Sequence, residues 1–266
     1  MCLLVLILCI ALAWFAHWKR GKHREAAASE QILDNGGSVA HFNGWEIQRR
    51  GWLVRGLSLV LHRDCLYTVH GVWFPEGRET SPDLQLLPAF PHLREVCLRR
   101  CQNLPADPLQ FLAPHRELVQ FDAMETSLTD ADLLHLRNCR SMERLWLSGT
   151  NLTDASVPWI VQNRNITHLA LDRTEISDAS LRHIATLREL EVLALRDTRV
   201  TGAGLVHLLE LPKLQHLCLR GTAIGDKHLG KLKQFTHLQG LDVQRTGLSA
   251  EGERKLREAL PGCLFQ

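Results

Sequence analysis

Histidine and cysteine are the side chains of this sequence best able to do chemistry, and their spacing argues against it. Fourteen histidines and eight cysteines could supply a zinc site, which needs three or four such ligands converging from spacings such as Cys-x-x-Cys or His-Glu-x-x-His. Neither spacing occurs. His135, His183 and His207 hold one place in a recurring unit, and only the last two fall in neighbouring units. His168 and His216 share another place, two units apart, about 10 Å if each unit adds one strand. Cys97 is expected to face outward and Cys101, in the turn column past the strand, inward, and Cys97 and Cys218 stand five units apart, about 24 Å and beyond disulfide reach. Cys2 and Cys9 lie in an apolar run and the remaining cysteines form no pairing pattern, which suits thiols kept reduced. No nucleophile elbow, phosphate loop or carboxylate pair is present. The sequence is therefore not that of an enzyme, and no cofactor or metal is expected. What remains is the chemistry of recognition, carried by tryptophan, arginine and aspartate on a rigid surface.

Those residues are positioned by a repeat. The spacing Leu-x-x-Leu-x-Leu begins at Val69, Leu93, Leu118, Met142, Ile166, Leu190, Leu214 and Leu238, in steps of 24 residues with a single step of 25. A fixed period of this length means a solenoid, in which each unit buries its neighbour's apolar face. Each unit starts with a short strand, such as Leu190-x-x-Leu193-x-Leu195, whose three apolar side chains point inward. Three residues later comes a column of Cys101, Thr126, Thr150, Thr174, Thr198, Thr222 and Thr246, small side chains able to bond the backbone of a tight turn. Thr129-Asp130, Thr153-Asp154 and Ser177-Asp178 then supply a helix N-cap and a first-turn carboxylate. Pairs such as Leu181/Ile184 and Leu205/Leu208 make one helical stripe. Pro158 predicts one helix to be broken or shortened, and Pro105 and Pro108 mark the loop that absorbs the extra residue. The expected fold is α/β: about eight turns of about 24 residues, with a parallel sheet on one wall and short helices on the other.

The flanks are different. Cys2 to Ala16 is unbroken apolar sequence, followed by Trp18 and the basic residues Lys19, Arg20, Lys22 and Arg24. As a helix, residues 2–18 reach about 25 Å, somewhat short of the roughly 30 Å of a hydrocarbon core. Residues 1–18 are thus expected to form a transmembrane or signal-anchor helix, single-pass, with the repeat domain on the cytoplasmic side by the positive-inside rule. Cleavage after Ala11-Leu12-Ala13, with a periplasmic or extracellular domain, is the competing expectation. Residues 19–33 form a basic juxtamembrane helix ended by Asn35-Gly36-Gly37. Residues 34–68 form an N-terminal cap, with a short strand within 38–47 and a helix at 52–61. Residues 69–260 form the array, its last helix spanning 251–260. Residues 261–266 provide a C-terminal cap strand. A net charge of +2 offers no bulk field for nucleic acid, and a monomer is expected.

The unit Leu-x-x-Leu-x-Leu-x-x-Thr-x-Ile-Ser-Asp-x-x-Leu, seen at 166–181 and nearly so at 190–205, resembles leucine-rich repeats. It is most similar to the cysteine-containing type, with Cys101 in the cysteine place and threonine in the others. Together with the apolar anchor, the Ile32-to-Val39 segment and the Trp52-to-Leu57 segment, it resembles planctomycete membrane-anchored leucine-rich-repeat proteins. It departs from them at its start, where no basic stretch precedes the anchor. The resemblance implies a concave sheet face and a cell-envelope protein of unknown partner.

Strand alternation sends Trp73, Cys97, Asp122, Trp146, Ala170, Ala194, Cys218 and Asp242 to that open face. Arg99, Met124, Ser148, Asp172, Arg196, Arg220 and Gln244 run beside them. The expected partner-binding residues are Trp73, Arg99, Asp122, Trp146, Asp172, Arg196, Arg220 and Asp242, with Trp146 the foremost. The competing expectation is a solvated face whose arginines and aspartates neutralise one another. The function expected is a non-catalytic, membrane-anchored module binding a protein or peptide; the alternative is a substrate-recognition adaptor of a protein-turnover complex.

Overall fold

The computed structural model describes residues 2–41, 69–74 and 82–265, with the backbone alone for 2–14 and 41. Helix α1, Cys2–Asp34, opens the chain, and β1, Ser38–His41, follows it. Then come β2 (Val69–Trp73), β3 (Glu95–Cys97), β4 (Gln120–Asp122), β5 (Arg144–Trp146), β6 (His168–Ala170), β7 (Val192–Ala194), β8 (His216–Cys218), β9 (Gly240–Asp242) and β10 (Leu264–Phe265). Among the described residues these ten strands form one sheet in strict chain order. Strands β2 to β10 are parallel, each one repeat from the last, and β1 pairs antiparallel with β2. The architecture is a leucine-rich-repeat solenoid, and β2–β9 are the eight strands expected from the sequence.

The inward residues are the ones the spacing selects. Leu190, Leu193 and Leu195 are fully buried, as are Met142 and Ile166 at the starts of their units. Truncating such a leucine to alanine costs about 2–5 kcal/mol through lost transfer energy and the cavity left behind. The hydroxyl column holds the turn that follows. Thr126, Thr150, Thr174, Thr198, Thr222 and Thr246 each donate Oγ1–H to the carbonyl three residues back, at 2.5–2.7 Å. These carbonyls lie where the chain leaves the sheet and has no strand partner to offer.

The helical wall consists of short pieces. Before the closing helix, Asp178–Ile184 is the longest α-helix of the array, while Leu205–Leu208 and Leu229–Leu232 are single turns. Val157–Ile160 is also a single turn, with Pro158 in its first positions where a missing N–H is harmless. Its shortness is shared by segments without proline, so proline is not the cause. Thr153 and Ser177 do accept a hydrogen bond from the backbone N–H two residues on, at 3.2 and 3.3 Å. The aspartates beside them act differently from expectation: they reach across to the next turn.

Thr153 donates its N–H and Oγ1–H to Asp130 at 2.8 and 2.6 Å, and Ser177 does the same to Asp154 at 2.9 and 2.6 Å. Thr201 repeats this on Asp178 at 2.8 and 2.6 Å, and the Ser249 N–H donates to Asp226 at 2.9 Å. Isolated parallel bridges such as Thr153↔Glu175 and Ser177↔Arg199 accompany the clasps. Burial pulls the Asp154 carboxyl upward, but hydrogen bonds from Ser177 and Ser180 outweigh it and hold it below its usual value.

The N-terminal boundary differs from the sequence expectation. A single helix runs through residue 18, and its second half is part of the cap. Glu25, Ala28, Ser29 and Ile32 form a buried stripe at helical spacing, and this end of α1 packs on β1 and the 3-10 helix Leu84–Ala89. The buried Glu25 carboxylate accepts the Val69 N–H at 2.5 Å and pairs with Lys22 at 2.7 Å. The helix stops as expected at Asn35-Gly36-Gly37: Gly36 takes φ 78°, and Gly37 N–H and Gly36 N–H bond Ile32 O and Leu33 O at 2.9 and 2.8 Å. The last helix of the array is Ala250–Ala259. Among the described residues no helix is long and apolar enough to cross a membrane. Most of the expected anchor, and the expected helix at 52–61, lie outside the residues whose side chains are described.

Candidate functional site

The open face of the sheet is built in columns by the parallel register. Trp73, Cys97, Asp122, Trp146, Ala170, Ala194, Cys218 and Asp242 align strand to strand, residue for residue as strand alternation requires. A second column, not singled out in the sequence, runs through Gly71, Glu95, Gln120, Arg144, His168, Val192, His216, Gly240 and Leu264. Two of its members are glycine for steric reasons. A side chain at Gly71 would strike the Trp73 ring, and one at Gly240 would sit 2.6 Å from the His216 imidazole. The Trp73 ring therefore lies across its own strand.

Charges in the first half of the face are largely spent on one another. Arg99 Nε stands 3.1 Å from Asp122, and Arg99 Nη2 donates to Met124 Sδ at 3.1 Å. Glu125 lies between Arg100 and Arg173, at 2.7 Å from each. It reaches Arg173 across Gly149, where a Cβ would stand 3.2 Å from Glu125 Cγ. Hydrogen bonds from Arg100 and Arg173 pull the Glu125 carboxyl down to about 2. In this part of the molecule the mutual-neutralisation expectation describes the side chains.

The second half is arranged differently. Ser148 is fully buried, bonded twice to Asp172 at 3.1 Å through its hydroxyl. Asp172 also accepts the Arg196 N–H at 2.7 Å. Asp242 is only 8% exposed, so on the open face it is part of the floor and not a presented group. It accepts the Gln244 N–H at 3.0 Å and faces the Cys218 thiol at 3.5 Å. Burial raises the Cys218 thiol to about 11, leaving it a small apolar side chain and a poor nucleophile. Arg220 donates to the neutral Gln244 Oε1 at 2.9 Å. Arg196 is exposed and bonds no described residue through its side chain. Trp146 is half-exposed and stands beside the small residue Ala170, with Ala194 one strand further on.

The eight expected residues thus lie on one face and divide by environment. Arg99 and Asp122 answer each other, Trp73 lies over its strand, Asp172 and Asp242 hold backbone, and Arg196, Arg220 and Trp146 remain presented. Among the described residues no three His, Cys, Asp or Glu side chains converge as a metal ion would require. Those missed in the sequence are Val192, His216 and Leu264. Their signal was the second outward position of each strand, two residues before the column that was read.

No protein-family model matches the sequence, and no curated protein matches it. Among solved structures, the chain is similar to internalin C2 from Listeria monocytogenes str. 4b F2365. The two are 19% identical over 69% of this chain and 83% of that one, with a TM-score of 0.46.

Proposed function

We propose that the protein is a non-catalytic interaction module which holds a protein or peptide on the open face of its sheet. The observation that carries this reading is the contrast along the face. Beside a charge-neutralised first half lies a stretch where Trp146 stands on its strand, and Arg196 and Arg220 in the turns just after theirs, around small side chains. Aromatic and arginine side chains around a recess are the usual anchors of protein interfaces. Attachment to a membrane through residues 2–18 belongs to the same proposal and rests on the apolar run from Cys2 to Ala16. It would keep the module at a bilayer surface, where flotation with lipid vesicles tests it.

The binding reading is tested with Trp146→Ala. A bifunctional crosslinker is applied in cells producing the full chain, and adducts are compared between wild type and variant. Loss of the adduct with a thermal midpoint little changed is the expected result, because Trp146 is half-exposed and outside the core. An adduct of unchanged yield would move the interface off this part of the face.

A further inference from the structure

Ala170, Ala194 and Cys218 form a floor of small side chains, with Trp146 at one end and Leu264, 75% exposed, at the other. Toward the Leu264 end the floor opens into a recess of about 180 Å³ lined by Val192, Ala194, His216, Cys218, Asp242 and Leu264. That volume is room for roughly six waters, which an aliphatic side chain would release on entering. Arg196 and Arg220 stand two residues beyond Ala194 and Cys218, in the turns that follow neighbouring strands, and those strands are about 4.8 Å apart.

The polar groups around the recess are unequal in what they still offer. The acceptors are engaged: Asp172 by Ser148 and the Arg196 N–H, Asp242 by the Gln244 N–H and the Cys218 thiol. The donors are less so: the Arg196 guanidinium bonds no described residue, and Arg220 donates one hydrogen bond, to the neutral Gln244. A ligand that complements this trough brings acceptors and negative charge, with an apolar group beside them.

Given that the face binds a protein or peptide, we propose that this trough takes an aliphatic side chain adjoining a carboxylate on the partner's chain. The aliphatic group fills the recess over Ala194 and Cys218, and the carboxylate receives hydrogen bonds from Arg196 and Arg220. Specificity then resides in a pair of adjacent partner residues, one apolar and one acidic.

The test is selection of a phage-displayed random peptide library on the immobilised full chain. The pool should converge on an aliphatic residue next to Asp or Glu. Ala194→Trp, which fills the recess, should lower its retention by about tenfold, and Arg196→Glu should turn the preference to Lys or Arg. Should Ala194→Trp fail to fold, the exposed Arg196→Glu decides alone. A pool with no acidic preference, or a basic one, overturns the trough assignment. A pool lost on Trp146→Ala yet indifferent to both trough substitutions overturns the assignment while leaving the open face as the binding surface. No convergent pool, or one indifferent to all three substitutions, removes both.

Discussion

At the scale of single residues, seven successive turns send the same position into the left-handed region, Arg100, Glu125, Gly149, Arg173, Asp197, Gly221 and Arg245, with φ between 50° and 70°, and the irregular loop after Arg100 adds Asn103 and Asp107. That conformation costs a residue with a Cβ about 1–2 kcal/mol. Arg100, Glu125 and Arg173 offset some of the cost through their shared ion contacts. Arg245 is exposed and bonds no described residue through its side chain. Arg245→Gly should therefore raise stability by about 0.5–1 kcal/mol, the relieved strain less the entropy of glycine in the unfolded chain. Arg173→Gly, on the same backbone, should gain less because it takes away one of the two arginines that hold Glu125; urea denaturation of the two variants measures the difference. Equal gains would mean that the Arg100–Glu125–Arg173 bridge contributes nothing. The sequence repeat aligns this column, but its left-handed backbone was illegible because only Gly149 and Gly221 betray it among five other side chains. The hydroxyl column was legible for the opposite reason: one chemistry fills it at nearly every turn. For the open face, alternation gave the register of every residue but could not say which charges were already engaged. That depends on rotamers reaching across strands, as at Arg99–Asp122 and Ser148–Asp172.

At the scale of elements, what joins turn to turn on the helical side is the aspartate clasp, and its single gap is informative. Where Asp130, Asp154, Asp178 and Asp226 recur, the intervening place is Gly202, and its receiving residue is Gly225 where other turns have Thr or Ser. Both partners of one clasp are absent together. The Gly225 N–H instead donates to His228 Nδ1 at 3.1 Å, the His228 ring covers Gly202, and Lys231 donates to Gly202 O at 2.9 Å. Burial, with Lys227 and Lys231 beside it and against the pull of Asp178, sets His228 below its ordinary pKa. The unfolded chain then takes up the proton first as pH falls through about 6.5. Stability is full above that pH and declines below it, until the folded form is protonated too. Rebuilding the clasp with Gly202→Asp, Gly225→Ser and His228→Ala should raise stability by about 1–2 kcal/mol from its charge-assisted hydrogen bonds. It should also shrink the drop in thermal midpoint between neutral and mildly acidic buffer. His115 and His168 are also lowered by burial, but they are common to both proteins and cancel in the comparison. An unaltered pH response would show that His228 is not the titrating joint. The aspartates themselves were visible in the sequence but assigned to their own helices, because a contact 23 residues away follows only once the turns are stacked.

At the scale of the molecule, a solenoid has no contacts between distant turns, so its stability, the Glu125–Arg173 pair that skips one turn aside, is a chain of nearest-neighbour terms and its ends are where it opens. The N-terminal end is closed by α1 and β1, and the sequence misplaced the boundary because an Ala- and Glu-rich helix beside an apolar run looks like a stalk. The stripe Glu25, Ala28, Ser29 and Ile32 is there to be seen at i, i+3, i+4 and i+7, but its one charged member hides it from a hydrophobic count. Glu25 is buried because it answers the Val69 N–H on the first strand of the array, with Lys22 balancing the charge. Removing one partner of a buried ion pair costs about 3–5 kcal/mol where the whole fold registers the loss. Here the loss should remain local. Glu25→Ala should abolish hydrogen-exchange protection of Val69 and Val72, weaken it through β3, and leave the amides of β6 to β9 as slow as in the wild type. Glu25→Gln keeps an acceptor for Val69 and should fall between the two. Uniform loss of protection from β2 to β9 would mean that the array unfolds as one cooperative body. The one-dimensional account of its stability would then be wrong.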